Sequence, residues 1–399
     1  MLSNSNLDIP STLRMYRYCG LSVTFLVPTK TGLEKSIMDA TSSVREFLLT
    51  HGIHDFDTQQ QGTEFKVLVP IILLSNGHVK ETSISFYRPE TKNGDPRIWI
   101  YKLAQDAEAG DLLALVLSGK KLIAINCSKT DLPTLLDKSS KNFKELFGRH
   151  EGEPSGIATE LLNKLRIISK DGFITTMRPG DTGIGFTLET RLGLQANSSK
   201  APDYKGIEIK SARGRTRKSG RTTIFSQVPN WSISRLKSSK ELLYERGQYK
   251  EDKGRVQLFH SISAVKPNSY HMGLALDNNN ELLRQVHHGD GMRENDVSWE
   301  MDTLKSRLRE KHTESFFVYA ETRGKSGDQD ESFHYKSVKH TGKLDAGVLP
   351  TLIETGIVTV DYTIKEKSPG VAKDQGYLFK IAPSDLDLLF FNIREYDLI

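Results

Sequence analysis

Asp203, Glu208 and Lys210 place two carboxylates and one ammonium within a short stretch of the chain. On a strand, successive side chains point to opposite faces, so Glu208 and Lys210 share one face and Ile209 takes the other. Asp203 returns to the face of Glu208 if the chain bends at Gly206. Two carboxylates, a nearby backbone carbonyl and one positioned cation are typical of a Mg2+ site that hydrolyses a phosphodiester.

In this interpretation Asp203 and Glu208 hold the metal with help from the carbonyl of Ile209. Lys210 stabilises developing negative charge or orients the attacking water. The spacing Asp-x4-Glu-x-Lys also occurs by chance in many chains, so an ordinary charged surface strand is the alternative. Pro202 favours the metal site, because it stiffens the entry to the motif.

A basic segment follows the motif directly. Residues 211–221 hold five cations and no anion, and a basic loop beside carboxylates predicts a polyanionic substrate. A solvated surface loop is the alternative. The candidate phosphate contacts in this segment are Arg213, Arg215, Arg217 and Lys218.

Glu189 is a further candidate for the same site. It lies late in the segment Gly183–Glu189, where a predicted helix over 182–194 could direct its carboxylate to the metal. A glutamate on the helix surface is the alternative. The glycines of this segment are not followed by Gly-Lys-Ser/Thr, so the sequence does not support a nucleoside-triphosphate loop.

The composition is that of a soluble globular protein with more than one domain. The chain has 399 residues, 37% of them hydrophobic and 26% charged, and a net charge of +5. No apolar run approaches the ~18 residues that span a bilayer, and the N-terminus lacks the pattern of a signal peptide. Cys19 and Cys127 lie in apolar surroundings, which predicts buried free thiols in a cytoplasmic protein.

The elements that must position these residues divide near residue 150. Residues 1–145 alternate short β-favouring runs with turn signals and contain one predicted helix at 32–51, which favours a β-rich barrel-like domain. Residues 150–399 mix helices and strands, which predicts an α/β domain with a central mixed sheet. In that half we expect a helix at 299–312 and place His287 and His288 in a loop.

Two blocks of the second half carry a family resemblance. The segment 180–189, followed by 201–210, closely resembles the catalytic core of the MvaI/BcnI restriction endonucleases, which are relatives of the mismatch-repair nickase MutH. The likeness continues in order to the C-terminus and covers about 150–399. It implies an α/β nuclease domain of the PD-(D/E)xK fold.

The resemblance also implies an activity. Glu189, Asp203, Glu208 and Lys210 match the active-site positions of the family, whose members are Mg2+-dependent double-strand DNA endonucleases. They act as monomers on short CC-centre-GG sequences and cut the strands one after the other, so a CCWGG-like site is expected. In the family the late strands enter the DNA grooves, and the corresponding candidate base readers here are Asp361, Thr363, Lys365, Asp374, Gln375 and Lys380. Thr363 and Lys380 stand where arginines would be the natural guanine readers.

The N-terminal half offers a second DNA-reading candidate. Arg88, Lys92, Asn93 and Arg97 surround a tight turn, and a hairpin tip that carries cations and amides can enter a major groove. An exposed loop is the alternative. The region resembles the effector-binding domain of EcoRII, a pseudobarrel, which implies that residues 1–145 bind a second, effector copy of the target site.

The sequence therefore predicts a multidomain, type IIE restriction endonuclease of a restriction-modification system. In the predicted organisation, a β-rich pseudobarrel precedes the nuclease domain. We expect a cytoplasmic monomer that binds double-stranded DNA, with two copies of the target site as partners and no membrane. A MutH-like strand-nicking repair endonuclease shares the metal site and is one alternative. A non-catalytic DNA-binding regulator is another, against which the intact set of four active-site residues argues.

Overall fold

The computed structural model describes residues 7–148, 154–194, 202–214, 221–278, 281–289, 292–312, 314–342, 344–391 and 393–399. Its α-helices are α1 (Ile9–Tyr18), α2 (Lys30–Lys35), α3 (Ser42–Thr50), α4 (Leu132–Leu135), α5 (Lys141–Phe147), α6 (Gly156–Lys170), α7 (Gly183–Arg191), α8 (Ser239–Arg246), α9 (Met301–Lys311) and α10 (Leu349–Glu354). Short 3-10 helices lie at Thr63–Phe65, Lys92–Gly94, Leu103–Gln105, Glu251–Lys253, Ala346–Val348 and Pro383–Leu389.

The strands are numbered in chain order. They are β1 (Val23–Leu26), β2 (Met38–Asp39), β3 (Val67–Ser75), β4 (His78–Tyr87), β5 (Arg97–Ile100), β6 (Leu113–Ser118), β7 (Lys121–Asn126), β8 (Ile174–Thr175), β9 (Glu208–Arg213), β10 (Thr222–Ser226), β11 (Gln248–Lys250), β12 (Arg255–Leu258), β13 (Ser261–Ile262), β14 (Met272–Asp277), β15 (Leu282–Gly289), β16 (Met292–Glu300), β17 (Ser315–Arg323), β18 (Ser332–Thr341), β19 (Val358–Ser368), β20 (Val371–Ile381) and β21 (Arg394–Asp397).

The chain forms two compact units built from interleaved segments. The first unit comprises Met1–His150, Phe225–Arg307 and Ala346–Lys380, and the second comprises Glu151–Ile224, Leu308–Asp345 and Ile381–Ile399. The predicted second domain thus contributes segments to both units. The predicted division into 1–145 and 150–399 rests on the change from a β-rich to a mixed helix-and-strand pattern near residue 150, and it stays a prediction.

The N-terminal part of the first unit is a seven-stranded sheet in the order β1-β6-β7-β3-β4-β5-β2. Strands β3 and β7 run parallel, and the other described pairs of this sheet are antiparallel. Its apolar side chains form one core with α3, in which Val44, Ile84 and Phe86 are completely buried. This part of the chain is β-rich, as the sequence predicts.

The single helix predicted over 32–51 is wrong. Helix α2 ends at Lys35, because the next residue, Ser36, has a left-handed φ of 55° that stops the helix, and β2 then pairs with β5. Helix α3 begins only at Ser42. The amphipathic pattern of the sequence covers both helices, but it gives no sign of the short strand β2 between them.

The rest of the first unit contains two further sheets. One has the order β10-β20-β19-β12-β11, with β13 also paired to β19, and the other has the order β14-β15-β16. His287 and His288 lie in β15, so the predicted loop is wrong. Trp299 lies in β16, and the helix predicted from 299 starts at Met301.

The second unit is built on a mixed sheet in the order β21-β18-β17-β9, with β8 paired to β18. Strands β9 and β17 are parallel, whereas β17 and β18 are antiparallel. Helices α6 and α7 bury Leu161, Leu165 and Leu188 against Ile209 and Phe316 of this sheet. The mixed sheet agrees with the predicted α/β class, and β9 is one of its edges.

Two further observations concern the chain as a whole. Within the described ranges, no helix is both long and apolar enough to cross a membrane. Cys19 and Cys127 are buried and free, as predicted. Burial raises the pKa of the Cys127 thiol to about 12, so this thiol is protonated at neutral pH.

Candidate active site

A tight turn brings Asp203 back to the strand that follows it. Tyr204 and Ile207 exchange two backbone hydrogen bonds of 2.9 and 2.8 Å, which closes a two-residue loop. Lys205 and Gly206 occupy this loop with φ angles of 47° and 96°, both in the left-handed region. The Oδ2 atom of Asp203 then accepts a hydrogen bond of 2.9 Å from the N–H of Ile209. The chain therefore bends at Gly206, as the sequence analysis requires.

Glu208 and Lys210 lie on the same face of β9. The Nζ atom of Lys210 is 3.6 Å from Oε1 of Glu208, and both side chains are partly exposed. Ile209 points the other way into the core with 6% of its surface exposed. The N–H of Glu208 donates to the carbonyl of Glu314 at 2.8 Å, which fixes the start of β9 beside β17.

Glu189 reaches the site from α7. The hydroxyl of Tyr335 in β18 donates a hydrogen bond of 2.8 Å to the carbonyl of Ile184, and this bond ties the helix to the sheet. Leu188, on the inner face of α7, is completely buried in the core against the sheet. Burial, followed by the charge of Glu189, raises the pKa of the Tyr335 hydroxyl. Tyr335 therefore lies near Glu189 and holds its helix in place.

The three carboxylates lie within one another's electric field. Burial raises the pKa of Glu189, and the charges of Asp203 and Glu208 raise it further. Burial also raises the pKa of Glu208, where Lys210 opposes the shift and Asp203 adds to it. The structure thus brings together the four residues that the sequence analysis selected for catalysis.

This donor set fits a hard divalent cation. Mg2+ prefers carboxylate and carbonyl oxygens, and Glu189, Asp203 and Glu208 supply carboxylates here. Among the described residues, no three His, Cys, Asp or Glu side chains are already close enough to enclose a metal ion.

A cleft of about 810 Å³ opens beside Glu189 and Lys210, whereas Asp203 and Glu208 are not among the residues that line it. Glu189, Ile209 and Lys210 line it together with side chains from α7, β17, β18 and β21. The lining also includes Arg178, Asp181, Phe186 and Lys339. The cleft is mixed in polarity, which suits the sugar-phosphate backbone of a nucleic acid.

His312 is a residue of the site region that sequence reasoning missed. It follows α9, is only 4% exposed, and its Nε2 atom lies 2.9 Å from the carbonyl of Ile224. Burial lowers the pKa of its imidazole to about 4, and the charge of Lys210 contributes to this shift. Nothing in its local sequence signals this position, because it depends on the packing of distant segments.

The basic segment after β9 is only partly described. Arg213 forms a two-pronged ion pair with the buried Glu331, with N···O distances of 2.6 and 2.8 Å. Its charge is thereby compensated within the protein. Arg215, Arg217 and Lys218 lie outside the described residues.

The late-strand candidates belong to the first unit and lie mostly on one face of the hairpin formed by β19 and β20. Asp361, Thr363 and Lys365 alternate with the buried Tyr362 and Ile364. On β20, Lys380 and Asp374 are partly exposed and Gln375 is exposed.

Several of these candidates have partners within the hairpin. Lys380 forms an ion pair of 2.7 Å with Asp361, and Thr363 donates to the carbonyl of Gly376 at 2.9 Å. Asp374 accepts a bond of 2.6 Å from the N–H of Gly376. The hairpin therefore has an ordered polar face.

The N-terminal candidates lie where β4 leads into β5. Arg88 donates to the carbonyl of Gly94 at 2.9 Å, and Arg97 forms an ion pair with Asp39. Both guanidinium groups thus have partners within the protein. Lys92 and Asn93 lie in the 3-10 turn between the strands, where Asn93 is exposed and has a left-handed φ of 55°.

Comparison with known proteins assigns the family. The model of the MvaI/BcnI restriction endonuclease family matches residues 162–390, which is more than half of the chain. A solved structure described as a complex of restriction endonuclease MvaI with cognate DNA is 24% identical, covers 62% of this chain and 100% of its own, and has a TM-score of 0.47. MvaI in the absence of DNA is also 24% identical, covers 61% and 99%, and has a TM-score of 0.41.

No curated protein sequence matches the chain at a significant level. The match to the family model spans α7, the turn at Gly206 and β9, and so includes all four residues selected for catalysis. The resemblance seen in the sequence is confirmed at the level of the family. The chain belongs to the MvaI/BcnI restriction endonuclease family, and it is a type II site-specific deoxyribonuclease.

Proposed function

We propose that this endonuclease hydrolyses both strands of DNA with Mg2+ at the site formed by Glu189, Asp203, Glu208 and Lys210. The observation that carries this proposal is the meeting of three mutually repelling carboxylates and one lysine at the edge strand β9. Restriction endonucleases generally use divalent metal ions, and the donor set here consists of oxygens.

Each residue has a distinct task in the proposed reaction. A bound Mg2+ would polarise the scissile phosphate and lower the pKa of a coordinated water. Asp203, Glu208 and the carbonyl of Ile209 would hold the cation, and Glu189 would complete or extend the set. Lys210, which lies 3.6 Å from Glu208, would offer its ammonium group to the phosphate as negative charge develops.

A plasmid assay tests this function against strand nicking. A supercoiled plasmid that carries one target site is incubated with the enzyme and Mg2+, and its nicked and linear forms are followed with time. We expect a transient nicked circle and then full linearisation. A nicked circle that persists would instead identify a strand-nicking repair endonuclease.

For target recognition we propose a CCWGG-like site and action as a monomer. The support is the polar face of β19 and β20, which presents Asp361, Thr363, Lys365 and Lys380 in alternation on two neighbouring strands. The strands of a β-sheet can place side chains against base edges in a DNA groove. Sequencing the ends of cleaved plasmid would give the target and the cut position, and sedimentation would give the number of subunits.

For residues 1–145 we propose a pseudobarrel domain that binds a second, effector copy of the site, as in type IIE enzymes. The exposed Asn93 and its neighbour Lys92 at the tip between β4 and β5 are the residues that support this role. The test is the double substitution Lys92→Ala and Asn93→Ala. It should abolish stimulation of cleavage by an added cognate duplex and leave unstimulated cleavage intact, whereas undiminished stimulation would refute the proposal.

Point substitutions are preferable to deletion of this region. Lys305, which is 2% exposed, pairs with Glu46 of α3 at 3.2 Å, and Arg45 of α3 pairs with Glu281. Removal of α3 would leave the buried ammonium of Lys305 with only the exposed Asp302 of its two carboxylate partners, at 3.5 Å, and loss of a partner from a buried ion pair is destabilising. We also propose that the enzyme acts in the cytoplasm, which agrees with its two free, buried thiols.

A further inference from the structure

Arg178 is an exposed cation in the catalytic cleft, and its side chain contacts an aromatic ring. The guanidinium carbon lies 5.7 Å from the centroid of the Phe186 ring. Both residues line the cleft that contains Glu189 and Lys210. A guanidinium group over a ring face keeps hydrogen-bond donors available for another partner. Arg178 can therefore bind a ligand in the cleft without losing its contact with Phe186.

The backbone of Arg178 is fixed to the start of α7. The hydroxyl of Thr176 donates to the carbonyl of Arg178 at 2.7 Å. Gly183, the first residue of α7, packs against the same carbonyl so closely that a Cβ atom there would lie 2.4 Å from the carbonyl oxygen. The absence of a side chain at Gly183 thus allows direct contact between the segment of Arg178 and the helix.

A second contact joins this segment to the middle of the helix. The N–H of Met177 donates to the hydroxyl of Thr187, which is completely buried, at 3.0 Å. Phe186 and Glu189 are three positions apart on α7, so their side chains are neighbours on the helix surface. The position of Arg178 is therefore set relative to Glu189 by the helix itself.

Arg178 differs from the other cations of the cleft in having no carboxylate partner. Lys210 lies 3.6 Å from Glu208, and Lys339 lies 3.5 Å from Glu395. Within the described part of the chain, Arg178 forms no ion pair, although the carboxylate of Asp181 also lines the cleft. Its positive charge is consequently available to a substrate anion without the loss of an ion pair of the described residues.

We propose that Arg178 binds a DNA backbone phosphate next to the scissile one, with Phe186 holding its guanidinium in place. This inference rests on the proposed function, because it takes the scissile phosphate to lie at Glu189, Asp203 and Glu208. Arginine donates paired N–H groups to phosphate oxygens, and phosphate contacts fix the register of a protein on a duplex. Arg178 is thus a positioning residue that aligns the strand with the metal site.

The test is the salt dependence of DNA binding by Arg178→Ala. The probe is a duplex of about 20 base pairs with a central CCWGG sequence, bound without Mg2+ so that it is not cleaved. Loss of one phosphate contact should reduce the slope of log K against log salt by about 0.9. Affinity should fall roughly tenfold at low salt. Arg178→Lys should retain most of the slope, and Phe186→Leu should weaken binding to a lesser degree.

Arg191→Ala is the matched control. Arg191 is on the same helix and exposed, but it forms an ion pair with Asp171 and does not line the cleft. This variant should keep the wild-type slope. A slope for Arg178→Ala equal to that of Arg191→Ala would overturn the proposal.

A second measurement identifies the contacted phosphate. Duplexes with a single neutral methylphosphonate at each position are bound by wild-type enzyme and by Arg178→Ala. A methylphosphonate at one position beside the cut should weaken DNA binding by the wild-type enzyme and should not change DNA binding by Arg178→Ala. Identical profiles would contradict the inference. The proposed active site itself fails only if Asp203→Asn still cleaves, so the two failures are distinguishable.

Discussion

The carboxylate of Asp203 accepts a hydrogen bond of 2.9 Å from the N–H of Ile209, although the two residues are six positions apart. The left-handed turn at Lys205 and Gly206 makes this contact possible. It fixes one proposed metal ligand directly to the strand that carries another, Glu208. The position of Asp203 relative to Glu208 therefore depends on the turn at Lys205 and Gly206.

Gly206→Ala should impair both folding and cleavage. Gly206 has a φ of 96°, and a Cβ atom there would meet nothing within 4 Å, so the penalty is backbone strain alone. We expect a loss of about 1–3 kcal/mol in the free energy of unfolding. Because the turn places Asp203, the rate of cleavage under saturating DNA should also fall. Urea unfolding and single-turnover kinetics measure the two effects.

Gly119→Ala is the control for this prediction. Gly119 also has a left-handed φ, 58°, and open space around it, but it lies between β6 and β7. Gly119→Ala should lose a similar free energy of unfolding and should cleave DNA at the wild-type rate. Equal rates for the two variants would show that the turn does not position Asp203.

Gly183→Ala should destabilise the protein through a direct clash. The new Cβ atom would lie 2.4 Å from the carbonyl oxygen of Arg178, so α7 or the preceding segment must move. Overpacking of this kind typically reduces stability by about 1–3 kcal/mol. The first glycine of α6, Gly156, has open space, and Gly156→Ala should not destabilise. Thermal unfolding of the two variants checks the difference, and equal melting temperatures would contradict the packing described.

Glu208→Gln should stabilise the metal-free protein at neutral pH. Burial and the charge of Asp203 raise the pKa of Glu208, so its ionised form is less favourable in the folded state than in the unfolded state. This penalty is absent at low pH, where the group is protonated in both states, and grows as pH rises through the raised pKa. The advantage of the variant should therefore be present at pH 7 and vanish near pH 4.

Addition of Mg2+ should reverse the order of stability. A ligand that binds only the folded state stabilises it, so wild-type enzyme should gain melting temperature with Mg2+ concentration. Glu208→Gln should gain less, because it lacks one carboxylate ligand. Calorimetry in EDTA and in Mg2+ measures both states. No difference between the variant and the wild type in either condition would argue against a metal at Glu208.

His312 should make the protein sensitive to mild acid. Its pKa in the folded protein is about 4, below the ordinary histidine value, so the unfolded state takes up the proton first. Stability is therefore unaffected above about pH 6.5 and is lost as pH falls from there towards the folded pKa. The full loss is on the order of 3 kcal/mol, since one pKa unit corresponds to about 1.4 kcal/mol.

Two histidine variants separate this effect from general acid denaturation. His312→Gln keeps an N–H donor for the carbonyl of Ile224 and removes the titration, so its stability should fall less between pH 7 and pH 5. His288 is exposed, and His288→Gln should behave as wild type. Urea midpoints at the two pH values provide the measurement. Parallel behaviour of all three proteins would refute the role of His312.

The sequence predicts how residues close together along the chain are arranged in this site, but it does not predict the contacts between distant segments. Strand alternation placed Glu208 and Lys210 on one face, and Gly206 marked the bend that returns Asp203 to them. The contact of Tyr335 with the carbonyl of Ile184 joins residues 151 positions apart, and no local pattern encodes it. The burial of His312 likewise arises only when distant segments pack.

The DNA-contact candidates show the same division. The basic run predicts a DNA contact at Arg213, yet its charge is compensated by Glu331, which lies 118 positions away. The same pattern does not indicate Arg178, since this residue lies outside the basic run. Charge density along the chain therefore identified the basic segment, whereas the distribution of uncompensated charge depends on the fold.

The most direct test of the active site is the comparison of Asp203→Asn with wild-type enzyme in DNA binding and in cleavage. The asparagine oxygen can still accept the hydrogen bond from Ile209, so the fold and the affinity for a CCWGG duplex should remain. Loss of the carboxylate charge should reduce the single-turnover cleavage rate in Mg2+ by at least ~100-fold. Cleavage at the wild-type rate by a folded Asp203→Asn protein would contradict the assignment of the metal site.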